Sequence, residues 1–286
     1  MKRKIRIIVA NPAGNITIFV KDRMGRDVYQ KVASQLLDME ELKGEQVAFM
    51  HDAPECGRAE GKMEMCGLEF CGNASRSYGL IRAKEMGIEG EGKVFVDASG
   101  CSEILTVGMN TETGFTKIKM PLPVSMSEFD LSKLPIDDLK VNPMAEMLLR
   151  RATCVNFGGI VHVVLSDIEP KKETFELIKD RVIEVFNPPA MGVMFCDSSE
   201  NKMTPVVYVR DVDTTYFEGS CGSGTTACAA AFGAVLGDGE HKFSFPQPAG
   251  TIDAEVVINR KKIEEIYIEG PVELSEEMEV EVEVEI

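Results

Sequence analysis

The stretches FCGNAS at residues 70–75 and SCGSGT at residues 220–225 are the most informative parts of this 286-residue chain. Each places a cysteine, Cys71 or Cys221, directly before a glycine and a run of small residues that predicts a helix start. Small residues leave the N–H groups of a first helical turn open to a ligand. Because these N–H groups and the helix dipole attract anions, each stretch indicates a carboxylate site.

The segments around these two stretches alternate between strand and helix patterns. Strands are predicted at residues 5–10, 16–21, 45–49, 93–98, 103–107, 116–120, 160–165, 192–196 and 205–210. Helices are predicted at residues 28–42, 72–86, 139–151, 173–186 and 222–236. The tail at residues 278–286 alternates Glu with Val or Ile and predicts a half-buried strand.

Both halves of the chain contain strands, a long helix and one Cys-Gly helix start. We therefore expect an α+β fold of two similar domains that face each other, joined near the proline-rich segment 121–125. The expected boundaries are 1–123 for the first domain and 124–277 for the second. The strand at 278–286 is expected to complete the first domain.

Two cysteines at helix starts suit one reaction in particular. The field at a helix start lowers the pKa of a thiol from about 8.5, which makes thiolate available near neutral pH. A substrate carboxylate held by both helix starts would leave its α-carbon between the sulfurs. A thiolate could then remove the α-proton while a thiol protonates the opposite face, and each group becomes the other after turnover. This arrangement predicts an amino-acid racemase or epimerase that uses Cys71 and Cys221 as acid and base.

Other interpretations of the two stretches remain open at this point. A Gly-rich helix start with a cysteine is often only a tight turn with a small buried residue. The segment 222–226 could hold a phosphate, although it lacks the lysine of a P-loop. Cys66 and Cys71, with Cys221 and Cys228, could bind a metal, but the spacing of the second pair is wrong for a zinc ribbon. We expect neither a metal nor a cofactor.

Composition limits the partners and the compartment. The formal net charge is −16, from 47 acidic and 31 basic residues, and this excess repels the phosphate backbone of nucleic acids. Eight cysteines are too few for a disulfide scaffold and indicate free thiols in a reducing cytoplasm. The basic N-terminus precedes an apolar run that is too short for an export signal, and no segment has the length of a membrane span. The expected partner is a small amino acid, with no role for nucleic acid or membrane.

The residues resemble those of the diaminopimelate epimerase family, the pyridoxal-independent two-cysteine racemases. The paired Cys-Gly stretches carry the resemblance. The turn at 11–15, Glu45-Gln46, the strand around His162 and the turn at 248–250 extend it over nearly the whole chain. Within this family, the blocks at 11–20, 67–74, 99–102 and 218–225 are most similar to the histidine racemases. The resemblance implies a curved mixed or antiparallel sheet around a central helix in each domain, an active site in the cleft between the domains, histidine as the favoured substrate, and a homodimer.

The resemblance also points to residues that contact the substrate. The backbone N–H groups of Gly72 and Asn73, and those of Gly222 and Ser223, are expected to bind the α-carboxylate. Asn15 is expected to line the site with the side chain of Asn73.

Four further side chains complete the expected site. Glu45 and Glu218 are candidate acceptors for a substrate ammonium or imidazole. Gln46 is expected to hydrogen-bond near the first cysteine. His162 is expected to contact the substrate or to orient a cysteine. Each of these residues could instead serve only the local structure.

Departures from diaminopimelate epimerases bear on the substrate. Their Asn-Pro-His segment is replaced here by residues 160–162, and a later strand asparagine by Gly192. Without these groups and an arginine, a second substrate carboxylate has little to offset the cost of its burial. Diaminopimelate is therefore expected to be a poor substrate. The competing functions are diaminopimelate epimerase itself, an isomerase of the phenazine-pathway type, and a carboxylate binder without catalysis.

Overall fold

The computed structural model describes residues 2–54, 57–131, 134, 152–200, 202–210 and 213–284, which form a strand-rich α+β protein. In these ranges the α-helices are α1 Tyr29–Leu37, α2 Gly72–Glu85, α3 Lys172–Phe186 and α4 Gly222–Leu236. The strands are β1 Lys2–Asn11, β2 Thr17–Val20, β3 Gln46–His51, β4 Gly61–Met65, β5 Glu91–Ala98, β6 Leu105–Asn110, β7 Phe115–Lys119, β8 Ser125–Phe129, β9 Ala152–Asn156, β10 Ile160–Ser166, β11 Ala190–Asp197, β12 Lys202–Val209, β13 Thr214–Phe217, β14 Gly239–Gln247, β15 Gly250–Asn259, β16 Lys262–Pro271, β17 Glu273–Leu274 and β18 Met278–Glu283. No helix of the described part is long and apolar enough to cross a membrane.

The chain divides into two compact units. The first unit consists of Met1–Lys119 and Glu269–Ile286, and the second unit of Met120–Ile268. Both boundaries lie earlier than the expected ones after residues 123 and 277. Contacts within the first unit explain the second difference: Glu269 pairs with Lys117 at 3.2 Å, and the Val272 N–H donates to the Gly114 carbonyl at 2.9 Å. These contacts draw residues 269–277 into the first unit.

The sheet of the first unit has the strand order β7-β6-β5-β4-β3-β2-β1, and both β17 and β18 pair with β1. The pairs β2–β3 and β4–β5 are parallel. The C-terminal strand β18 runs antiparallel to β1, with Ile7 opposite Met278 and Lys2 opposite Glu283. Val282 on this strand is buried with Ile5 and Ile7, while its glutamates are exposed. The strand predicted from the alternating tail is therefore confirmed.

Helix α2 is buried along most of its length, although it is rich in polar residues. Its serines satisfy their hydroxyls within the helix: Ser75 donates to the Cys71 carbonyl and Ser77 to the Asn73 carbonyl, each at 2.8 Å. Gly79 allows close packing, because a Cβ at this position would lie 2.6 Å from the side chain of Val107 on β6. The small residues thus let α2 lie directly against the sheet.

A polar network ties α1 to strands β3 and β4. Glu64 is 4% exposed and accepts two hydrogen bonds from Arg26, at 2.6 and 2.9 Å. The Tyr29 hydroxyl donates to Glu64 at 3.0 Å and lies 2.6 Å from Nε2 of His51. These bonds lower the pKa of Glu64 to about 2, chiefly through Arg26. The carboxylate therefore fixes the start of α1 on the sheet while it remains ionised.

The second unit contains a six-stranded sheet of order β13-β12-β11-β10-β9-β8, in which β10 and β11 are parallel. Helix α3 covers this sheet with Phe175, Ile178 and Val182 in a core shared with Val163 and Val193. Helix α4 contacts β10 and β11 as well as β14 and β15. Its alanines and glycines from Gly222 to Gly233 are buried, which allows close approach to these strands.

The helix predicted at residues 28–42 is too long. Helix α1 ends at Leu37, and Met39 adopts an extended conformation with ψ of 95° before a short 3-10 turn at Glu40–Leu42. Lys43 then closes the turn in the left-handed region at φ of 50°. The apolar spacing continues through this turn because Leu42 still reaches the core. The helix predicted at 139–151 lies outside the described residues.

Candidate active site

Helix α2 begins at the first of the two stretches singled out in the sequence. Cys71 is its N-cap residue, with φ of −129° and ψ of 112°, and its Sγ accepts a hydrogen bond from the Ala74 N–H at 3.4 Å. The sulfur thus takes the place of the hydroxyl or carboxylate oxygen that usually caps a helix. The N–H groups of Gly72 and Asn73 have no acceptor inside the helix. An anion at this end would meet both amides and the thiol.

A cluster of amide side chains surrounds the Cys71 sulfur. Gln46, the first residue of β3, lies with its Nε2 3.4 Å from Sγ of Cys71 and donates to Asn15 and Thr17, each at 2.8 Å. The thiol of Cys71 lies 3.9 Å from Oδ1 of Asn15. The same oxygen accepts a hydrogen bond from Nδ2 of Asn73 at 3.5 Å. Residues from a turn, a strand and a helix start therefore meet at one thiol.

The side chain of Asn73 faces the interior of the first unit. Its Oδ1 accepts a hydrogen bond at 3.1 Å from Nε of Arg76, whose side chain is 0% exposed. Nη1 of Arg76 donates to Thr116 and to the Gly270 carbonyl, each at 3.0 Å, and Nη2 donates to the Pro12 carbonyl at 3.2 Å. Asn73 is thus held by protein groups on both sides, so its backbone is the part that can face a ligand.

Glu45 lies one residue before Gln46 and reaches the same turn. Its carboxyl group accepts hydrogen bonds from the Ile16 N–H and the Asn15 side chain. Although the residue as a whole is exposed, burial of the carboxyl group raises the pKa of Glu45 despite these bonds. A cation placed beside this carboxylate would relieve the cost of its desolvation.

Helix α4 begins at the second stretch and repeats the geometry of the first. Cys221 is the N-cap residue, with φ of −136° and ψ of 111°, and its Sγ accepts from the Gly224 N–H at 3.4 Å. A Cβ at position 224 would lie 2.1 Å from Sδ of Met194 and 3.2 Å from the Cys221 sulfur. A side chain at position 224 would therefore force the side chain of Met194 to move and would crowd the Cys221 sulfur.

The environment of Cys221 keeps its sulfur protonated. Burial raises the pKa of Cys221 well above its usual value, and the charge of Glu218 and a hydrogen bond between the thiol and that carboxylate raise it further. Hydrogen bonds from Ser223 and the Gly224 N–H act in the opposite direction and are outweighed. The expectation that a helix start lowers the thiol pKa is therefore wrong for Cys221, because desolvation exceeds the effect of the helix amides.

Ser223 connects Cys221 to His162 on β10. The Ser223 hydroxyl lies 3.5 Å from the Cys221 sulfur and 2.9 Å from Nε2 of His162. Burial lowers the pKa of His162 to about 3, so the ring is neutral near pH 7. A Cβ at Gly192 would lie 2.6 Å from Nδ1 of this ring, and within the described residues Nδ1 has no hydrogen-bond partner. His162 is therefore connected to Cys221 through the hydroxyl of Ser223.

Gln247 fixes the backbone of the second stretch from the end of β14. Its Oε1 accepts from the Cys221 N–H at 2.8 Å, and its Nε2 donates to Thr225 at 3.0 Å. Thr225 in turn donates to the Cys221 carbonyl at 2.7 Å. Both the N–H group and the carbonyl group of Cys221 are thus fixed by hydrogen bonds.

The expected residues fall into one group in each unit. Asn15, Glu45, Gln46 and Asn73 gather around Cys71, and His162, Glu218 and Ser223 gather around Cys221. Sequence reasoning missed Thr17, Arg76, Thr225 and Gln247. Thr225 lies in a quoted stretch and Gln247 precedes the 248–250 turn, so both had a local signal, whereas nothing local marks Arg76 or Thr17. In the described ranges no group of three His, Cys, Asp or Glu side chains could hold a metal ion.

Two solved structures share this fold over nearly their whole length. The Bacillus anthracis phenazine biosynthesis protein of the PhzF family aligns over 97% of this chain and 99% of its own, with a TM-score of 0.66 and 16% identity. A hydroxyproline epimerase from Agrobacterium vitis, solved with bound trans-4-hydroxy-L-proline, aligns over 98% of this chain and 91% of its own, with a TM-score of 0.64 and 12% identity. At these identities the likeness shows the fold alone.

Sequence comparison gives the family. Residues 4–280 match the model described as "Histidine racemase CntK N-terminal domain". A histidine racemase from Fusobacterium nucleatum subsp. nucleatum is 32% identical over 287 residues, which cover 96% of this chain and 95% of that protein. The chain belongs to the histidine racemase family and is an isomerase, as the sequence predicted.

Proposed function

We propose that this protein is a cofactor-independent histidine racemase in which Cys71 and Cys221 exchange the α-proton. The observation that carries the proposal is that both cysteines cap a buried, small-residue helix with the same backbone geometry and the same sulfur-to-amide hydrogen bond. Membership of the histidine racemase family supports histidine as the substrate. The matched thiol pair also supports placing this family among the two-cysteine, diaminopimelate epimerase-like racemases.

The proposed reaction begins with Cys71 as thiolate and Cys221 as thiol. In this proposal the α-carboxylate of histidine binds the first-turn N–H groups of the helix starts at Cys71 and Cys221. Cys71 removes the α-proton, and the electron pair passes into the carboxylate to form an enediolate that the amides stabilise. Cys221 then donates its proton to the opposite face. The products are the other enantiomer, a Cys71 thiol and a Cys221 thiolate, so the reverse reaction needs no further reagent.

The carboxylates beside each thiol would hold the cationic parts of the substrate. Glu45 shares Asn15 with the Cys71 cluster, and Glu218 is hydrogen-bonded to Cys221. Both lie where a substrate ammonium or imidazolium would offset their desolvation. We propose that one holds the α-ammonium group and the other the imidazole ring. We further propose that the protein works in the reducing cytoplasm, since none of the seven described cysteines is in a disulfide.

Isotope incorporation tests the reaction. L-Histidine, D-histidine and diaminopimelate are incubated separately with the protein in D₂O that contains a reductant. The stereoisomers are then separated, and the deuterium content of each is measured by mass spectrometry. We expect deuterium to appear first in the product enantiomer of histidine, while the remaining substrate keeps its proton, because the two thiols act on opposite faces. Exchange in diaminopimelate without exchange in histidine would replace the proposed substrate, and exchange with neither would contradict a racemase.

Cysteine variants test the roles of the thiols. Cys71→Ser and Cys221→Ser should each lower racemisation by at least about 10³-fold, because a hydroxyl is far less acidic than a thiol. Cys101→Ser changes a half-buried cysteine outside both helix starts and should retain full activity. Wild-type racemisation in either of the first two variants would contradict the two-thiol mechanism.

A further inference from the structure

Arg76 is a cation that is fully buried in the first unit. Its side chain is 0% exposed, and all of its hydrogen bonds go to neutral oxygens of Asn73, Thr116, Pro12, Gly270 and Pro271. Within the described residues it forms no ion pair. Burial lowers its pKa to about 10, which still leaves it charged at neutral pH. A buried charge without a counterion is costly, and buried charges in proteins are usually paired.

The group that can use this charge is the Cys71 thiolate. Arg76 lies one turn into the helix that Cys71 caps and is bonded to Asn73, the second residue of that helix. The two side chains attract each other electrostatically. This attraction raises the pKa of Arg76, whereas burial of the guanidinium lowers it. Because an attraction between two groups favours the charged form of both, the same interaction favours the thiolate.

Among the residues that the structure describes, three other ionisable groups near this end of α2, Glu45, Cys66 and Glu69, do not supply a positive charge. Glu45 reaches Asn15, and Glu69 lies two residues before Cys71 with its carboxyl group bound by backbone N–H groups, including that of Gly67. Cys66 is a half-buried thiol whose pKa burial raises. Strands β7 and β16 carry hydrogen-bond acceptors of Arg76. On these strands, Lys117 forms an ion pair with Glu269 at 3.2 Å. These carboxylates would oppose a thiolate, and Arg76 is the buried cation that counters them.

We propose that Arg76 is a positioning residue that holds Cys71 as the thiolate by placing an uncompensated positive charge inside the first unit. The same guanidinium orients Asn73 and so directs the backbone amide of residue 73 towards the substrate carboxylate. The proposal rests on the proposed function only for its catalytic consequence, because the state of the thiol can be measured without substrate.

The test is the pH dependence of alkylation of each cysteine by iodoacetamide, read peptide by peptide by mass spectrometry. Arg76→Met should raise the pH at which Cys71 is half-reactive by about one unit or more, whereas Arg76→Lys, which keeps the charge, should raise it by less. Cys221 should be unaffected in both variants. An unchanged Cys71 midpoint in folded Arg76→Met, or an equal shift in the two variants, would overturn the proposal.

A second pair of variants leaves Arg76 in place. Thr116 is buried with its hydroxyl 3.0 Å from Nη1 of Arg76, so Thr116→Asp supplies a counterion, and Thr116→Asn is the matched neutral control. The aspartate should raise the Cys71 midpoint and the asparagine should not. Equal midpoints in the two would contradict a role for the charge. In the wild-type protein Cys71 must also react at lower pH than Cys101, and the opposite order overturns the proposal without any variant.

Racemisation separates this proposal from the proposed function. In Arg76→Met, kcat/KM for histidine should fall about 10-fold or more at pH 7 and recover at higher pH, where Cys71 ionises without help. If the wild-type protein does not racemise histidine but the alkylation shifts are found, the proposed function fails and the role of Arg76 stands. If racemisation occurs and the shifts are absent, the reverse holds.

Discussion

The two cysteine N-caps share a backbone conformation but differ in the side chains around the sulfur. Cys71 is surrounded by the amides of Gln46 and Asn15, whereas Cys221 is buried beside Glu218 and Ser223. The proposed reaction needs one thiolate and one thiol at any moment, and the unlike surroundings of the two sulfurs decide which of them carries the proton at rest. The asymmetry favours a resting state in which Cys221 carries the proton.

Ser223 offers a test of this asymmetry at a single atom. Ser223→Ala removes a donor to the Cys221 sulfur and leaves Nε2 of His162 without its partner. Since a hydrogen bond to a charged group contributes about 1.5–3 kcal/mol, kcat/KM should fall roughly 10- to 100-fold. Alkylation of Cys221 should move to higher pH. Ser220→Ala is the matched control, because the buried Ser220 hydroxyl has no partner within the described residues, and it should leave both measurements unchanged.

At the scale of elements, the start of α1 depends on one buried carboxylate. Glu64 on β4 accepts hydrogen bonds from both Arg26 and Tyr29, and Tyr29 stacks on Phe49 of β3 with ring centroids 3.7 Å apart. The helix is short, so its own backbone bonds contribute little without tertiary contacts. The stability of this corner should therefore follow the ionisation of Glu64.

Acid titration measures that contribution. The pKa of Glu64 is about 2 in the folded protein and near 4.5 when unperturbed, so the stabilisation is complete above pH 4.5 and is lost as pH falls towards 2. Glu64→Gln should reduce the free energy of unfolding at pH 7 by about 3 kcal/mol at most, and the difference from wild type should shrink below pH 4.5. Chemical denaturation at several pH values would show this. Glu169→Gln, at an exposed carboxylate paired with Lys171, should have little effect. A difference that does not change with pH would contradict the assignment.

At the scale of the whole molecule, the first unit is assembled from both ends of the chain. Strand β18 pairs with β1 and supplies Val282 to the core around Ile5, while Gly270 supplies an acceptor for Arg76. The Cys71 cluster therefore depends on residues that are nearly 200 positions away in the sequence. The second unit is formed by one continuous segment.

Val282→Ala tests this dependence. Val282 is 1% exposed, and truncating a buried aliphatic side chain leaves a cavity, so the first unit should lose about 1–3 kcal/mol of stability. Hydrogen exchange should increase in β1, β2 and α1 and much less in the six-stranded sheet of the second unit. Glu281→Ala on the same strand changes an exposed side chain paired with Lys2 and should leave exchange unchanged. Equal increases in both units would show that they unfold together.

The sequence by itself determined the local features of this protein. The sequence alone predicted the starts of α2 and α4, the alternating C-terminal strand and the family. These predictions succeeded because caps, periodicity and motifs depend on residues within a few positions of one another. The family resemblance, and not a local pattern, led us to expect Asn15 and Gln46 at the site, and the structure places both beside Cys71. Local patterns failed at the end of α1, where apolar spacing continued through a turn.

The tertiary structure alone decided which groups are charged and what holds them. Burial of Cys221 reversed the expected direction of its pKa shift, and the role of Arg76 appears only when Thr116 and Gly270 close around it. The unit boundaries likewise follow from contacts between distant segments, such as Lys117 with Glu269. Desolvation and long-range pairing depend on which residues fold together, and no window of neighbouring residues contains that information.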